Sequence, residues 1–356
     1  MPDPWRQDFL TCVVVLIVLS GSTIGNSVAD DEPACWQQLA PIPDQLGFAG
    51  SFAGVVNETL IVAGGANFPE KRPWEGGRKV WYDSVFALET PEGTWVPAGR
   101  LPQPMGYGVS FTTPDGLILA GGSNEQGHSS QVLKMTRTNG ELHFETLPNL
   151  PTPSAMMCGV QLHSHLYVMG GAMAPDSTSA LQTLWKLDLS DLESGWQTLP
   201  PIPGPGRMLA TAAATNEAIF LFSGAALRPS KTGEPERIWL KDAYRFTPKD
   251  GWKRIADLPR VAVAAPSPAI ALAGNRLELL GGDDGTRLSF KPEEHPGFPR
   301  TSLIYDSDSD QWSAGPELPF SIVTTSAVRW QGRDIIPGGE VRPGTRSTEV
   351  WSRLNQ

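Results

Sequence analysis

Cysteine is scarce: the 356 residues hold three, Cys12, Cys35 and Cys158, none of them in a C-x-x-C pair. That excludes a disulfide-stapled miniprotein and leaves zinc-ribbon or thioredoxin-type chemistry without ligands. Histidine is scarce too, five scattered residues with no H-x-x-x-H spacing. Neither a helical zinc site nor the Tyr and His ligand set of a copper-oxidase propeller can be assembled from them. The sequence therefore calls for no metal and no cofactor. Positive charge is outnumbered, Lys+Arg 28 against Asp+Glu 38, and it is nowhere clustered. A nucleic-acid partner needs clustered Lys and Arg, so none is expected. At 40% hydrophobic the chain is too apolar to be disordered, and no segment carries a convincing helical period.

What is present begins with an apolar stretch, Phe9 to Leu19, preceded by Arg6 and followed by the small residues Ser27, Val28 and Ala29. This reads as a secretory signal over residues 1–29, with export, to the periplasm in a Gram-negative cell, as the expectation. The run is short for a membrane span of about 20 residues, and Asp3 and Asp8 flank the single Arg6. A retained N-terminal anchor is the alternative, and no other membrane contact is expected.

From residue 35 onward a repeat organises the chain. Six apolar runs end in small-residue pairs at Gly64-Gly65, Gly121-Gly122, Gly170-Gly171, Ser223-Gly224, Gly281-Gly282 and Gly338-Gly339. The second members lie 57, 49, 53, 58 and 57 residues apart. An aromatic marker keeps step: Trp36, Trp95, Phe144, Trp196, Trp252 and Trp312, most followed by Leu-Pro or Ile-Pro. A period near 50 with both markers predicts an all-β fold, a six-bladed kelch-type β-propeller over residues 30–356, each blade a four-stranded antiparallel sheet.

The chain starts with a Trp strand and ends at Glu349-Val350-Trp351 with no Trp strand after it. The N-terminal strand should therefore complete the last blade and close the ring. On that plan Cys35 and Cys158 lie across the ring, too far apart to bridge, and reduced buried thiols are expected.

The loops that follow the Gly pairs emerge on one face. Those of blades one (Ala66 to Lys79), four (Ala225 to Lys241) and five (Asp283 to Arg300) are long, which favours a binding role. The short loop of blade six reads Gly339-Glu340-Val341-Arg342-Pro343-Gly344-Thr345-Arg346. A loop of about five residues lets Glu340 and Arg346 address one pocket. A strict two-residue turn on Pro343-Gly344 puts them on opposite faces. On the residues alone they are either a surface ion pair or a catalytic pair. Arg207, Arg260 and Arg342 are secondary cationic candidates. Asn67, Asn124, Glu125 and Asp283 follow Gly pairs, where turn capping and ligand contact are both open. Tyr107 is either a core ring or a substrate-facing hydroxyl. Asp306-Ser307-Asp308-Ser309-Asp310 lacks the Gly and Glu of a calcium loop and reads as a turn.

Over residues 36–356 the sequence resembles the N-acetylneuraminate epimerases, or sialic acid mutarotases, of the six-bladed kelch type. The resemblance is closest in Trp36 to Pro69, Gly106-Tyr107-Gly108-Val109-Ser110 and Gly339 to Arg346. It implies that Glu340 and Arg346 are the catalytic pair, with the blade order rotated as in the cyclically permuted branch. It further implies interconversion of the α and β anomers of an acidic sugar, sialic acid, by acid–base ring opening and closure. The alternatives are a non-catalytic propeller binding a glycan or protein, signalled by exposed aromatics around Trp74 and Trp81, or an isomerase of another acidic or acylated sugar.

Overall fold

The second strand of a blade leads into its Gly pair and is mostly buried, from end to end in Thr59–Ala63 and Gly116–Ala120. A short, continuously apolar strand bounded by turns is the pattern of a sheet packed on both faces. The structure, a computed structural model, describes residues 35–231 and 233–355. The export segment assigned to residues 1–29 lies outside the described residues.

Six four-stranded antiparallel sheets follow one another along the chain. Blade one is Phe52–Val56, Thr59–Ala63, Ser84–Leu88 and Val96–Arg100, in that spatial order. Blade six takes Val328–Trp330, Arg333–Arg342 and Thr345–Leu354 from the C-terminus and Gln37–Leu39 from the other end of the chain. Gln37 pairs with Ser352 and Leu39 with Val350, so the N-terminal strand closes the ring as read from the sequence. No α-helix occurs among the described residues; Pro73–Glu75 and Leu192–Ser194 are single 3-10 turns.

The aromatic marker stitches blades together. The indole N–H of Trp95 donates to the Ala40 carbonyl, Trp196 to Pro148, Trp252 to Pro200 and Trp312 to Ala256, at 2.7 to 2.9 Å. Each acceptor belongs to the outer edge of the preceding blade, so each tryptophan fills the wedge and satisfies its one donor across it. Phe144 has no donor to give. Trp36 instead stacks its face under Arg353, 4.9 Å from the ring centre. That guanidinium bonds Glu278 of blade five (2.5 Å) and Asp334 of blade six (3.2 Å), all three side chains 4% exposed or less.

Around the channel the blades are joined by a closed ring of backbone hydrogen bonds. Gly50, Tyr107, Met156, Leu209, Ala264 and Thr324, one from each blade, have φ between 55° and 66°. The N–H of each donates to the carbonyl of its predecessor around the ring, at 2.7 to 2.9 Å, and Gly50 donates to Thr324. The left-handed conformation costs about 1–2 kcal/mol for each non-glycine residue. It persists because a buried, unpaired N–H would cost about as much or more at every position. The channel below this ring is lined by small residues, among them Ser51, Ser110, Gly159 and Ala265.

Cys35 and Cys158 are free, as expected, but Cys35 is exposed rather than buried. It precedes the outermost strand of blade six, which has no neighbour beyond it. Burial pushes the Cys158 thiol up to about 12, so it is inert near neutrality.

Candidate active site at the channel mouth

The residue before each ring residue pairs with the residue after a Gly pair: Ala49 with Ala66, Gly106 with Ser123, Ala155 with Ala172, Met208 with Ala225, Val263 with Asp283 and Val323 with Glu340. Six equivalent positions therefore surround the mouth, and four carry Ala or Ser. Asp283 and Glu340 supply the carboxylates. Blade four has Ser223 where the others have Gly. Ser223 takes the same left-handed turn (φ 56°), and its hydroxyl donates to the Leu240 carbonyl and accepts the Ala262 N–H, tying two loops together.

The blade-six loop combines both geometries considered from sequence. Pro343-Gly344 is a two-residue turn between Arg342 and Thr345, yet Glu340 pairs with Arg346. A bulge at Val341 shifts the register by one, which moves Glu340 onto the face that Arg346 occupies. Glu340 Oε1 accepts the Gly344 N–H at 2.7 Å and lies 3.3 Å from Arg346 Nη1. Its other oxygen has no hydrogen bond among the described residues. The Arg346 side chain is 4% exposed, stacked 5.2 Å from the centre of the Phe68 ring. Its Nε and Nη1 have no hydrogen-bond partner. A buried guanidinium with open donors is costly by itself and is relieved by an anionic oxygen.

The blade-one loop buttresses this turn. Arg72 Nη1 donates to the Gly344 carbonyl at 3.3 Å, and a Cβ on Gly344 would stand 2.6 Å from the Trp74 ring, so this left-handed turn position admits only glycine. The two legs of the loop, Ala66–Asn67 and Val80–Trp81, form a small ribbon. Beside it, Lys79 Nζ lies 4.9 Å from the Tyr107 ring centre and 5.8 Å from those of Phe68 and Trp81. Contacts thus run from Glu340 through Arg346, Phe68 and Lys79 to Tyr107, joining blades six, one and two.

The other residues named from sequence are placed as follows. Tyr107 is half-buried in the channel ring, its face under Lys79. Asn67 is 1% exposed and spends its amide on the Gly47 carbonyl (2.5 Å) and the Phe68 N–H (2.7 Å), so it acts on the site by holding Phe68. Asn124 caps its own turn through the Gln126 N–H, and Asp283 does the same through Gly285. Glu125 is exposed and pairs with Arg78. Arg342 braces the turn tip, to Thr345 Oγ1 and the Glu293 carbonyl.

Arg207 requires a correction. It is fully buried, forked onto Asp242 at 3.0 and 2.8 Å and bonded to the Ser223 carbonyl, which leaves only its Nε unpartnered and makes it a structural ion pair. Arg260 donates its Nη groups to three carbonyls and leaves its Nε unpartnered, with burial lowering its pKa. Asp306 Oδ1 accepts the N–H groups of Asp308 and Ser309, the turn expected there. Trp74 and Trp81 are half-buried and packed, not an exposed patch. Sequence reasoning missed Lys79 and Phe68. The alternation Lys79-Val80-Trp81 beside a Gly-pair loop was the available signal, since period two puts Lys79 and Trp81 on one face.

Fold and site together define a six-bladed kelch-type β-propeller with a Glu–Arg pair at one mouth, its arginine buried and its glutamate partly exposed. The family model for N-acetylneuraminate epimerase matches residues 19–143. A Yersinia enterocolitica protein of that name is 39% identical over 255 residues, 64% of this chain and 62% of its own length. One from Yersinia pestis is 42% identical over 113 residues, 28% of each chain. The chain is thus similar in sequence to the N-acetylneuraminate epimerases, and each of these alignments spans less than two thirds of the relative's length. The solved structure of YjhT superposes with a TM-score of 0.64 at 16% identity, covering 88% of this chain and 95% of that one, a likeness of fold. The family-matched segment holds Phe68, Lys79, Trp81 and Tyr107; Glu340 and Arg346 lie outside it.

Proposed function

We propose that the protein interconverts the anomers of N-acetylneuraminate, with Glu340 as the proton shuttle and Arg346 as the anion-binding group. The observation that carries this reading is the buried Arg346, with open Nε and Nη1 donors beside a carboxylate whose second oxygen is free. Opening the sugar ring requires the anomeric hydroxyl to lose its proton while the bond from the anomeric carbon to the ring oxygen breaks. The ring oxygen then gains a proton, and closure on the other face of the ketone reverses the steps. A carboxylate at Glu340 takes and returns that proton. The Arg346 fork receives the sugar's own carboxylate, fixing the anomeric carbon next to Glu340. The names of the related proteins support the same substrate. The pattern of residues 1–29 supports export before the enzyme meets its sugar.

The test starts from N-acetylneuraminate released as the α anomer by a sialidase, followed by proton NMR at slightly acidic pH. Wild type should speed the appearance of the β anomer over the blank, and Glu340→Gln should abolish that gain. A wild-type trace matching the blank would favour a glycan-binding propeller or another acidic sugar.

A further inference from the structure

Lys79 is a cation beside the Glu340–Arg346 pair whose charge the proposed reaction does not yet use. Its ammonium is held over three ring faces, those of Tyr107, Phe68 and Trp81. Such contacts fix a cation in place for about 0.5–2 kcal/mol but do not neutralise it. Among the described residues no carboxylate pairs with Lys79, whereas the adjacent Arg78 is paired with Glu125. Arg346 rests on the same Phe68 ring and has two open donors. The mouth thus carries Arg346 and Lys79 beside the carboxylates of Glu340 and Asp283, in a chain whose net charge is −10. On the other side, Lys79 lines a cleft of about 400 Å³ with Trp81, Asn124, Glu70 and the Arg78–Glu125 pair, a volume in the range of small-molecule sites.

Resting on the epimerase reading above, we propose that Lys79 is a second anion-binding residue of the site, acting with Arg346 to select sugars that carry a carboxylate. Phe68 is the shared platform that sets the two cations side by side, and Asn67 fixes Phe68 from below. The ligand's carboxylate supplies the direct ion-pair partner that Lys79 lacks among the described residues. Selectivity for acid over neutral sugar then comes from two charges at different places on the rim, which one arginine alone would not supply.

The test measures binding of N-acetylneuraminate and of its methyl ester by titration calorimetry, for wild type, Lys79→Met and Lys79→Arg. Wild type should favour the acid, and Lys79→Met should weaken acid binding about ten- to hundredfold, the worth of one charge-assisted hydrogen bond. Binding of the ester should stay as in wild type, and Lys79→Arg should recover most of the loss. An unchanged acid-to-ester ratio in Lys79→Met, with an unshifted melting temperature, would overturn the proposal. So would a Lys79→Met that weakens acid and ester alike, which is the mark of a merely structural lysine. The anomer-exchange assay separates the two claims. A wild type that exchanges anomers with an unaltered Lys79→Met ratio sinks Lys79 alone, and one that prefers the acid through Lys79 without exchanging anomers sinks the epimerase reading alone.

Discussion

Arg346 Nη1 stands 3.3 Å from Glu340 Oε1, yet the pair forms no aligned hydrogen bond, because that oxygen is already turned to the Gly344 N–H. A pair arranged for its own stability would close the fork. This one is held open by the turn, with donors left for a third group. Glu340→Gln should therefore lower kcat about 10²- to 10⁴-fold, the usual worth of a positioned proton-transfer group. Arg346→Lys keeps the charge, loses the fork and should act mainly on KM. The double variant Glu340→Gln/Arg346→Met should melt no lower than wild type, since buried ion pairs often give way to apolar groups at no cost. A marked drop in its melting temperature, with activity retained in the single variants, would make the pair structural.

Gly50 has no side chain because Tyr107 occupies the space. A Cβ there would stand 2.6 Å from Cδ1 of the Tyr107 ring, and φ is +66°. Gly50→Ala should both strain the backbone, by about 1–2 kcal/mol, and push the ring that carries Lys79. Gly140→Ala is the control: its φ is +86° with nothing within 4 Å, so it pays the strain alone. Urea melts should show a loss in both variants, and anomer exchange should fall only in Gly50→Ala. Equal activity in the two would detach Tyr107 from the site.

Why the blades were legible and the site only partly so has a physical reason. Gly pairs and Trp markers recur because every blade meets the same neighbours, so one local requirement is written six times. The closing strand followed from the missing Trp strand after Trp351. The Glu340–Arg346 geometry did not follow, since it turns on one extra residue at Val341 that no turn rule demands. Arg207 looked like a free cation because its partner, Asp242, is 35 residues away. Lys79 escaped notice because two of its three ring partners, Phe68 and Tyr107, come from other stretches of chain, so only its alternation with Trp81 was visible in sequence.

Ring closure offers a stability test. Arg353 joins Trp36, Asp334 and Glu278, that is, both chain ends and blade five, in a buried cluster. Arg353→Met leaves Glu278 without its cation in the interior. The expected cost is about 3–5 kcal/mol, because an unpaired buried charge remains. Replacing Glu278 by Gln in the same chain should recover part of it. Urea unfolding of the three proteins checks this, and an Arg353→Met midpoint equal to wild type would place the lock elsewhere.

The buried Arg207–Asp242 pair should make stability depend on pH in one direction. Burial alone would raise the Asp242 carboxyl, but the hydrogen bonds and charge of Arg207, with the Tyr244 hydroxyl, bring it below the ordinary carboxylate range. A carboxyl depressed in the folded state binds its proton more readily when unfolded. Its contribution is therefore complete above the unfolded value of about 3.9 and fades as pH falls through the lower folded value. Asp242→Asn should accordingly lose stability to wild type at pH 6, with the gap narrowing below about pH 4. Tyr244, raised mainly by burial, keeps its proton throughout that window and contributes no slope. Urea midpoints for both proteins from pH 6 to pH 3 measure the gap directly. A gap that stays constant across that range would mean that Asp242 holds Arg207 by shape and not by charge.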